Sequence, residues 1–455
     1  MNAFPQAFLD ELGALFDKET LASLLLALEN TPPVSIRLNP AFKGNICVPH
    51  EKVPQSEFGY FLKDRPVFTA DPAFHAGAYY PQEANSMWIG AVFSFLREKF
   101  YQNEASIVAL DLCAAPGGKT TDISSRMELG DLLVANEVIS TRNAILFENV
   151  CKWGLTNTVI TKADAQKFGK KGPLFDMIFC DAPCSGEGMF RKDNDAISEW
   201  STDNVVLCTQ RQQRIVFDVW DALKPGGFMV YSTCTFNRSE NEDNALKFCA
   251  EMGAELIEFE HPNKDLLFEL ESHLYRCLPH KTPGEGLFFC IIRKPDGPFE
   301  ARNRETSPKK KNKKTVSVSM EFDGFQSLIK GEETYLLRGD HHDEAFIQNL
   351  PGLVHPGIPA GSVFSGKWKP HPSIGLLKNA DFNLPLIELD DAAAMQFLKR
   401  EFIPMKPPTQ GPVIVVWKGH RLGTANAVKN GLNNLLPMEW RVRSNFTAQS
   451  IVEYI

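Results

Sequence analysis

No stretch of this 455-residue chain approaches the roughly 20 consecutive apolar residues that a membrane-spanning helix needs, which argues against a helical membrane protein. The opening residues, MNAFPQAFLDELGALF, carry acids and space Phe8, Leu12, Leu15 and Phe16 as a helix does, unlike the basic, continuously apolar start of a secretory signal. Cysteine is present ten times, but the dense paired spacing of a disulfide framework is missing. Cys180 and Cys184 form a close pair with no second Cys or His pair at finger-like spacing nearby, so no metal site is expected. The chain has no internal repeat. It also lacks GxGxxG and the longer glycine loop that precedes Gly-Lys-Thr in a P-loop, which disfavours a dinucleotide or a nucleoside triphosphate. The expectation is a soluble, cytoplasmic globular protein whose thiols are mostly small buried apolar groups.

A net charge of −8 taken alone argues against a polyanionic partner, but the charge is unevenly spread. Residues 417–443 hold Lys418, Arg421, Lys429, Arg441 and Arg443 against the single acid Glu439, and residues 309–314 are nearly all lysine. Such segments suit nucleic acid, with solvated surface or linker as the competing reading.

The chain reads as five regions. Residues 1–100 form a small N-terminal α/β subdomain: two amphipathic helices up to about residue 30, a strand over 34–38, and a helix over 83–96. Within it Arg37 is either a phosphate contact or a surface arginine. His75, Tyr79 and Tyr80 either stack on a base or anchor packing. From Ser106 strand–loop–helix units repeat, with apolar runs at 107–110, 132–135, 158–161, 177–180 and 228–233 and a closing run within 284–293. This predicts a Rossmann-like, doubly wound α/β sheet over residues 101–294. Residues 295–320 read as a lysine-rich linker. Residues 321–378 form an accessory unit with strands near 334–337 and 352–354. Residues 379–455 form a last α+β unit with strands at 412–417 and 440–443.

Two stretches organise the rest. FDMIFCDAPCSGEGMF, residues 175–190, is a buried strand ending on Asp181 that opens into a glycine-containing loop with Cys184. YSTCTFN, residues 231–237, delivers Cys234 from a second strand. Ligands of open α/β sheets sit at the carboxyl ends of strands, so both thiols and the acid belong to one site. DLCAAPGGKT, residues 111–120, is a glycine loop between strand and helix. Glu137 follows about 20 residues later at the next strand end, where a carboxylate holds a ribose diol, and Asp164 ends the third strand. The arrangement suits an adenosine-bearing cofactor without a pyrophosphate. The ribose lies on Glu137, the adenine edge near Asp164, and a charged amino-acid moiety over Gly117 and Gly118, whose other reading is a tight turn.

DLCAAPGGKT, FCDAPCSGEGMF and STCTFNRSENED, in this order, resemble the RNA 5-methylcytosine methyltransferases of the NOL/NOP/Sun family over roughly residues 30–294. The C-terminal extension, with HPGIPAGSVFSGKWKP and a PUA-like final unit, is similar to the bacterial branch that modifies 16S ribosomal RNA. The resemblance implies S-adenosylmethionine as methyl donor, held by Cys113, Ala114, Ala115, Pro116, Gly117, Gly118, Lys119, Glu137, Asp164 and Asp181. It implies Cys234 as nucleophile and Cys184 as the thiol that assists product release. The implied partner is 16S ribosomal RNA, free or within the 30S subunit.

The chemistry explains the thiol. C5 of cytosine is a poor nucleophile until a thiolate adds at C6. Cys234 must ionise from about 8.5, so an electropositive or hydrogen-bonding loop is expected around it. Asp181 faces the Watson–Crick edge, either accepting from the N4 amino group or, protonated, donating to N3. Lys119 meets the cofactor carboxylate or solvent. Ser239 and Glu242 match a capping box at a helix start. A stacked base hides C5 and C6, so the target is flipped or already in a loop, and the outer domains grip folded RNA. A DNA cytosine methyltransferase would use Cys184 as nucleophile, and a transfer RNA enzyme would share the present chemistry. A binding factor that had merely kept the fold would have no need of this residue set.

Overall fold

Apolar residues that alternate between two covered faces build the centre of the protein. In the computed structural model, which describes residues 4–42, 46–47, 51–192, 194–297, 322, 324–339, 342–364, 367–378, 380 and 382–454, they form a ten-stranded sheet. Its five parallel strands are Val108–Asp111, Leu132–Asn136, Thr158–Thr161, Phe175–Asp181 and Leu223–Thr233. Ala109, Leu133, Met177 and Phe179 pack on one face beneath the helix Trp88–Phe100. Leu110, Val134 and Ile178 pack on the other with Val216 and Val219 of Thr202–Val219 and Phe248 of Glu242–Met252. Strands buried on both faces read as continuous apolar runs, which is why these were visible in the sequence.

The spatial order is 223–233, 175–181, 108–111, 132–136, 158–161. The first-threaded strand thus lies in the middle, beside 175–181. The connections leaving these two neighbours run to opposite faces, and a crevice opens above their carboxyl ends, where ligands bind in such sheets. Leu287–Arg293 adds antiparallel outside 223–233. On the far edge Leu353–His355 adds antiparallel to 158–161, so a segment from beyond residue 320 completes the central sheet.

The predicted N-terminal helices are Gln6–Leu15 and Lys18–Glu29, the second capped by Asp17, which accepts from Glu19 N and Thr20 N at 2.9 Å. They pack against Trp200 and Leu278 and against Phe190 and Phe236, which follow the two motif cysteines. A three-stranded sheet of Gly59–Leu62, Val34–Leu38 and Tyr79–Pro81 completes this region. Four strands spanning 325–370 and five spanning 386–434 form two further sheets. Their apolar faces share one core with Ile36, Leu38 and Leu62. The last residues return to the N-terminal region: Gln449 N donates to Ala70 O at 2.9 Å and Ile451 N to Asp71 Oδ2 at 3.1 Å. The linker expected at 295–320 lies outside the described residues from 298 onward. No helix among the described residues is long and apolar enough to cross a membrane.

Three local expectations are corrected. The helix expected from residue 83 begins at Trp88 after a 3-10 turn, because the Glu83 carboxylate accepts from Asn85 N and Ser86 N and holds them in a turn. Residues 440–443 are not a strand. Buried Trp440 and Val442 alternate with exposed Arg441 and Arg443, a period-two pattern, yet Trp440 ends the 3-10 turn Met438–Trp440, its N donating to Pro437 O, and Val442 N donates to Leu398 O with no strand ladder. Ser239 and Glu242 are not a capping box either. The helix starts at Glu242 after Asn241 with no side-chain cap, because the Glu242 carboxylate is committed to Arg276.

That pair is fully buried. Arg276 Nε donates to Glu242 Oε1 at 2.6 Å, Nη2 meets Oε2, and Nη1 donates to Phe236 O at 2.6 Å in the Cys234 loop. Removing one member strands a buried charge. Arg276→Ala is expected to cost about 3–5 kcal/mol in urea unfolding, and adding Glu242→Ala to it should recover part of that loss; additive costs would show the two are not coupled.

Candidate active site

Parallel pairing of 175–181 with 223–233 sets Asp181 opposite Ser232, so the loops leaving both strands start level. Cys184 and Cys234 then meet with their sulfurs 3.2 Å apart. The approach is close enough to require glycine: Gly188 N donates to Cys234 O at 2.9 Å, and a Cβ on Gly188 would lie 2.7 Å from that oxygen. Ser232 Oγ donates to Asp181 Oδ1 at 2.9 Å, and Lys119 Nζ donates to Asp181 Oδ2 at 2.8 Å. Acid, ammonium and thiol therefore form one cluster at the crevice.

The thiols share a proton unequally. The hydrogen bond from Cys184 holds Cys234 below the usual thiol range, with help from the Lys119 charge and against burial and Asp181. The same bond, with burial, pushes Cys184 well up. Cys234 is the more readily ionised of the two, and once it is a thiolate Cys184 is the group that can donate to it. Burial opposes the charge on Lys119, but Asp181 more than compensates and raises its pKa. Beneath the glycine loop Asp111 is fully buried, which pushes it up to about 7, while Thr120 Oγ1 donates to it at 2.6 Å.

A cavity of about 650 Å³ opens over these groups. Cys113, Ala114, Ala115, Pro116, Gly118, Lys119, Asp181 and Cys234 line it; Cys184, also partly exposed, is not among the lining residues. Gly117 turns the loop at φ +115°, in the left-handed region, and the helix Gly118–Arg126 starts there. The cavity continues between the N-terminal region, at Arg65, Phe68 and Tyr80, and the far wall, at Met189 and Lys192. Glu137 and Asp164 stand at the next two strand ends, outside the cavity lining. Glu137 accepts from Ile139 N at 2.9 Å and lies 3.6 Å from Arg142, whose Nη2 also donates to Ala115 O. Asp164 caps the helix Ala165–Gly169 and pairs with Arg214 at 3.2 Å.

Among the other candidates, Arg37 departs from both of its readings, and the aromatic residues divide between theirs. Arg37 is neither on the surface nor open to a phosphate: it is fully buried, donates to Gln82 Oε1 and Thr121 Oγ1 at 2.6 Å, and stacks on Trp153. His75 and Tyr79 are core residues, Tyr79 donating to Asp71 at 2.9 Å, while Tyr80 lines the cavity. In the basic tail Arg421 is spent on Ala380 O at 2.6 Å, and Lys429, Arg441 and Arg443 are exposed. Sequence reading missed Glu187, Glu240 and Asn237, which tie the cysteine loops together. The two acids were written in SGEG and RSENE, but only the fold shows that each reaches the other loop.

A family model described as 16S rRNA methyltransferase RsmB/F matches residues 100–293. Models for the N-terminal domain of 16S rRNA methyltransferase RsmF and the methyltransferase RsmF PUA domain match residues 4–84 and 385–442. The Ribosomal RNA small subunit methyltransferase F of Shewanella loihica is 31% identical over 86% of this chain and 83% of its own length. That of Aeromonas salmonicida is 32% identical over 87% and 86%. Among solved structures, NSun6 from Pyrococcus horikoshii with SFG is similar at a TM-score of 0.52 and 20% identity, over 65% of this chain and 99% of that one. A methyltransferase homolog protein from Pyrococcus horikoshii is similar at a TM-score of 0.51 and 24% identity, over 64% and 99%. Both likenesses concern the fold.

The thiol pairing has a direct test. Removing the Cys184 donor or the Lys119 cation destabilises the Cys234 thiolate, so Cys184→Ala and Lys119→Ala are each expected to raise the pH of half-maximal Cys234 alkylation, followed by peptide mass spectrometry. An unchanged profile in both would show that neither group supports the thiolate.

Proposed function

The chain belongs to the Ribosomal RNA small subunit methyltransferase F family, and we propose that it methylates C5 of a cytosine in 16S ribosomal RNA through a covalent bond between Cys234 and C6. The observation that carries this reading is the thiol pair: Cys234 lines the cavity with its sulfur 3.2 Å from that of Cys184, and the hydrogen bond between them lowers the Cys234 pKa. That arrangement favours Cys234 over Cys184 as the attacking sulfur and disfavours the DNA-type assignment.

The donor set around the glycine loop fits S-adenosylmethionine. The backbone of 113–118 leaves open space at a helix start, Lys119 offers a cation to a carboxylate, and Asp181 offers an anion to a sulfonium. Glu137 and Asp164, at the following strand ends, are the residues for the ribose and the adenine edge. When bound, the cofactor supplies an electrophilic methyl group.

The protein's own residues do the rest. The Cys234 thiolate adds to C6, and the C5=C6 electron pair becomes available at C5, which takes up the methyl group. Asp181, held by Lys119 and Ser232, accepts from the N4 amino group and orients the ring. A base removes the C5 proton, and those electrons re-form C5=C6 as the C6–sulfur bond breaks. The pair returns to the Cys234 sulfur, where the Cys184 S–H donates and eases its departure. The target base reaches this point unstacked, and Arg65, Phe68, Tyr80, Met189 and Lys192 of the cavity lining are placed to meet it.

The deciding experiment is transfer of labelled methyl to 16S ribosomal RNA and 30S subunits. Cys234→Ala is expected to lose 5-methylcytosine formation, and Cys184→Ala to accumulate a covalent RNA adduct; an active Cys234→Ala with a dead Cys184→Ala would reverse the roles. The exposed tail supports the RNA reading separately. Replacing Lys429, Arg441 and Arg443 by Ala should weaken RNA binding and lower the slope of log K against log salt by up to about 1 per lost phosphate contact, and an unchanged slope would remove the tail from the RNA surface.

A further inference from the structure

Behind the two thiols, and outside the cavity lining, lie two acids with no exposed surface: Glu187, in the turn after Cys184, and Glu240, in the turn after Cys234. Each belongs to one cysteine loop and binds the other. Glu187 Oε2 accepts from Phe236 N at 2.8 Å and Asn237 N at 2.9 Å, while Oε1 accepts from Asn237 Nδ2 at 2.9 Å and Trp200 Nε1 at 3.0 Å. Glu240 Oε2 accepts from Ser185 N at 3.0 Å and Gln212 Nε2 at 2.6 Å. Asn237 stands between them. Its Nδ2 donates to Glu187 and, at 2.7 Å, to Glu240 Oε1, and its Oδ1 accepts from Glu240 N.

Four donors on one carboxylate occupy about all the lone-pair sites it has. A glutamine at 187 offers one oxygen and turns its amide hydrogens toward donors, so the bonds need the acid. The acids do not activate the thiols, since the Glu240 charge pushes both Cys184 and Cys234 up. Negative charge this close to a required thiolate opposes the chemistry. What it supplies in exchange is direction: charge-assisted bonds between loops are short and orientation-dependent in a way that apolar packing is not.

We propose that Glu187 and Glu240 are positioning residues of methyl transfer, a reciprocal clasp through Asn237 that keeps the Cys184 S–H on the Cys234 sulfur both when the thiolate forms and when it leaves. The proposal rests on the reading of Cys234 as nucleophile and adds what fixes its geometry. Because a displacement of about 1 Å can cost on the order of a hundredfold in rate, the clasp acts on kcat. The cofactor loop, on a different strand, is untouched by it.

The test uses the full chain with Glu187→Gln and Glu240→Gln. In both, kcat on 16S ribosomal RNA is expected to fall tenfold or more, with S-adenosylmethionine affinity within twofold of wild type. Glu187→Gln should also raise the pH of half-maximal Cys234 alkylation, and Cys184→Ala combined with it should add no further shift, since both remove the same donor. Glu240→Gln separates position from charge: were Glu240 acting by charge alone, its neutral variant would ionise Cys234 more readily and keep or gain rate, whereas a clasp residue loses rate. Should Glu187→Gln fail to fold, Glu240→Gln decides on these readouts. Wild-type kcat in folded Glu240→Gln, or fully additive alkylation shifts in the double variant, would overturn the proposal. If wild type transfers no methyl to this RNA while the non-additive alkylation shift stands, the RNA assignment fails and the clasp survives.

Discussion

Two sulfur atoms on two loops lie 3.2 Å apart, and much of the molecule bears on that distance. It originates in the pairing of 175–181 with 223–233: neighbouring parallel strands lie about 4.8 Å apart, and the register that sets Asp181 against Ser232 starts both loops at one height. A register slip would move both thiols, because side chains alternate faces with a period of two. Above the sheet, buried polar groups take over from the ladder. Such networks are stabilising only when every member is satisfied, and the polar atoms of Glu187, Glu240 and Asn237 all find partners here.

The outer regions bear on the same loops. The N-terminal helices press Phe8 against Phe190, ring centroids 5.0 Å apart, directly behind the Cys184 loop. Arg276 carries the load from the other side, joining Glu242 to Phe236 O. Arg37, which from the sequence invited a surface or phosphate role, runs from the N-terminal sheet to Gly118 O and Thr121, at the start of the helix that follows the glycine loop. The N-terminal sheet and the glycine-loop helix are thus joined by buried hydrogen bonds. The strand Leu353–His355 and the returning C-terminal residues bind the later units to the same body.

Legibility followed physical range. Strands covered on both faces announce themselves as unbroken apolar runs, so 132–136, 158–161 and 175–181 were readable to within a residue or two. The glycine loop and the Cys184 loop were readable because Pro and Gly follow an apolar strand run in each. What misled were patterns with two local solutions. The alternation at 440–443 is what a strand shows and also what an extended segment lying on a core shows. Ser239 and Glu242 have capping-box spacing, but a buried arginine 34 residues away claims the acid.

By itself the sequence determined the sheet class, the glycine loop and the strand-end placement of Cys184, Cys234 and Asp181, because each depends on residues adjacent in the chain or on a short repeat period. Tertiary structure alone decided which thiol faces the cavity, that Lys119 meets Asp181, that Arg37 is buried, and that Glu187 and Glu240 reach across to each other's loops. Those facts depend on contacts between residues about 50 to 80 positions apart, and only the register and order of the strands determine which distant side chains meet.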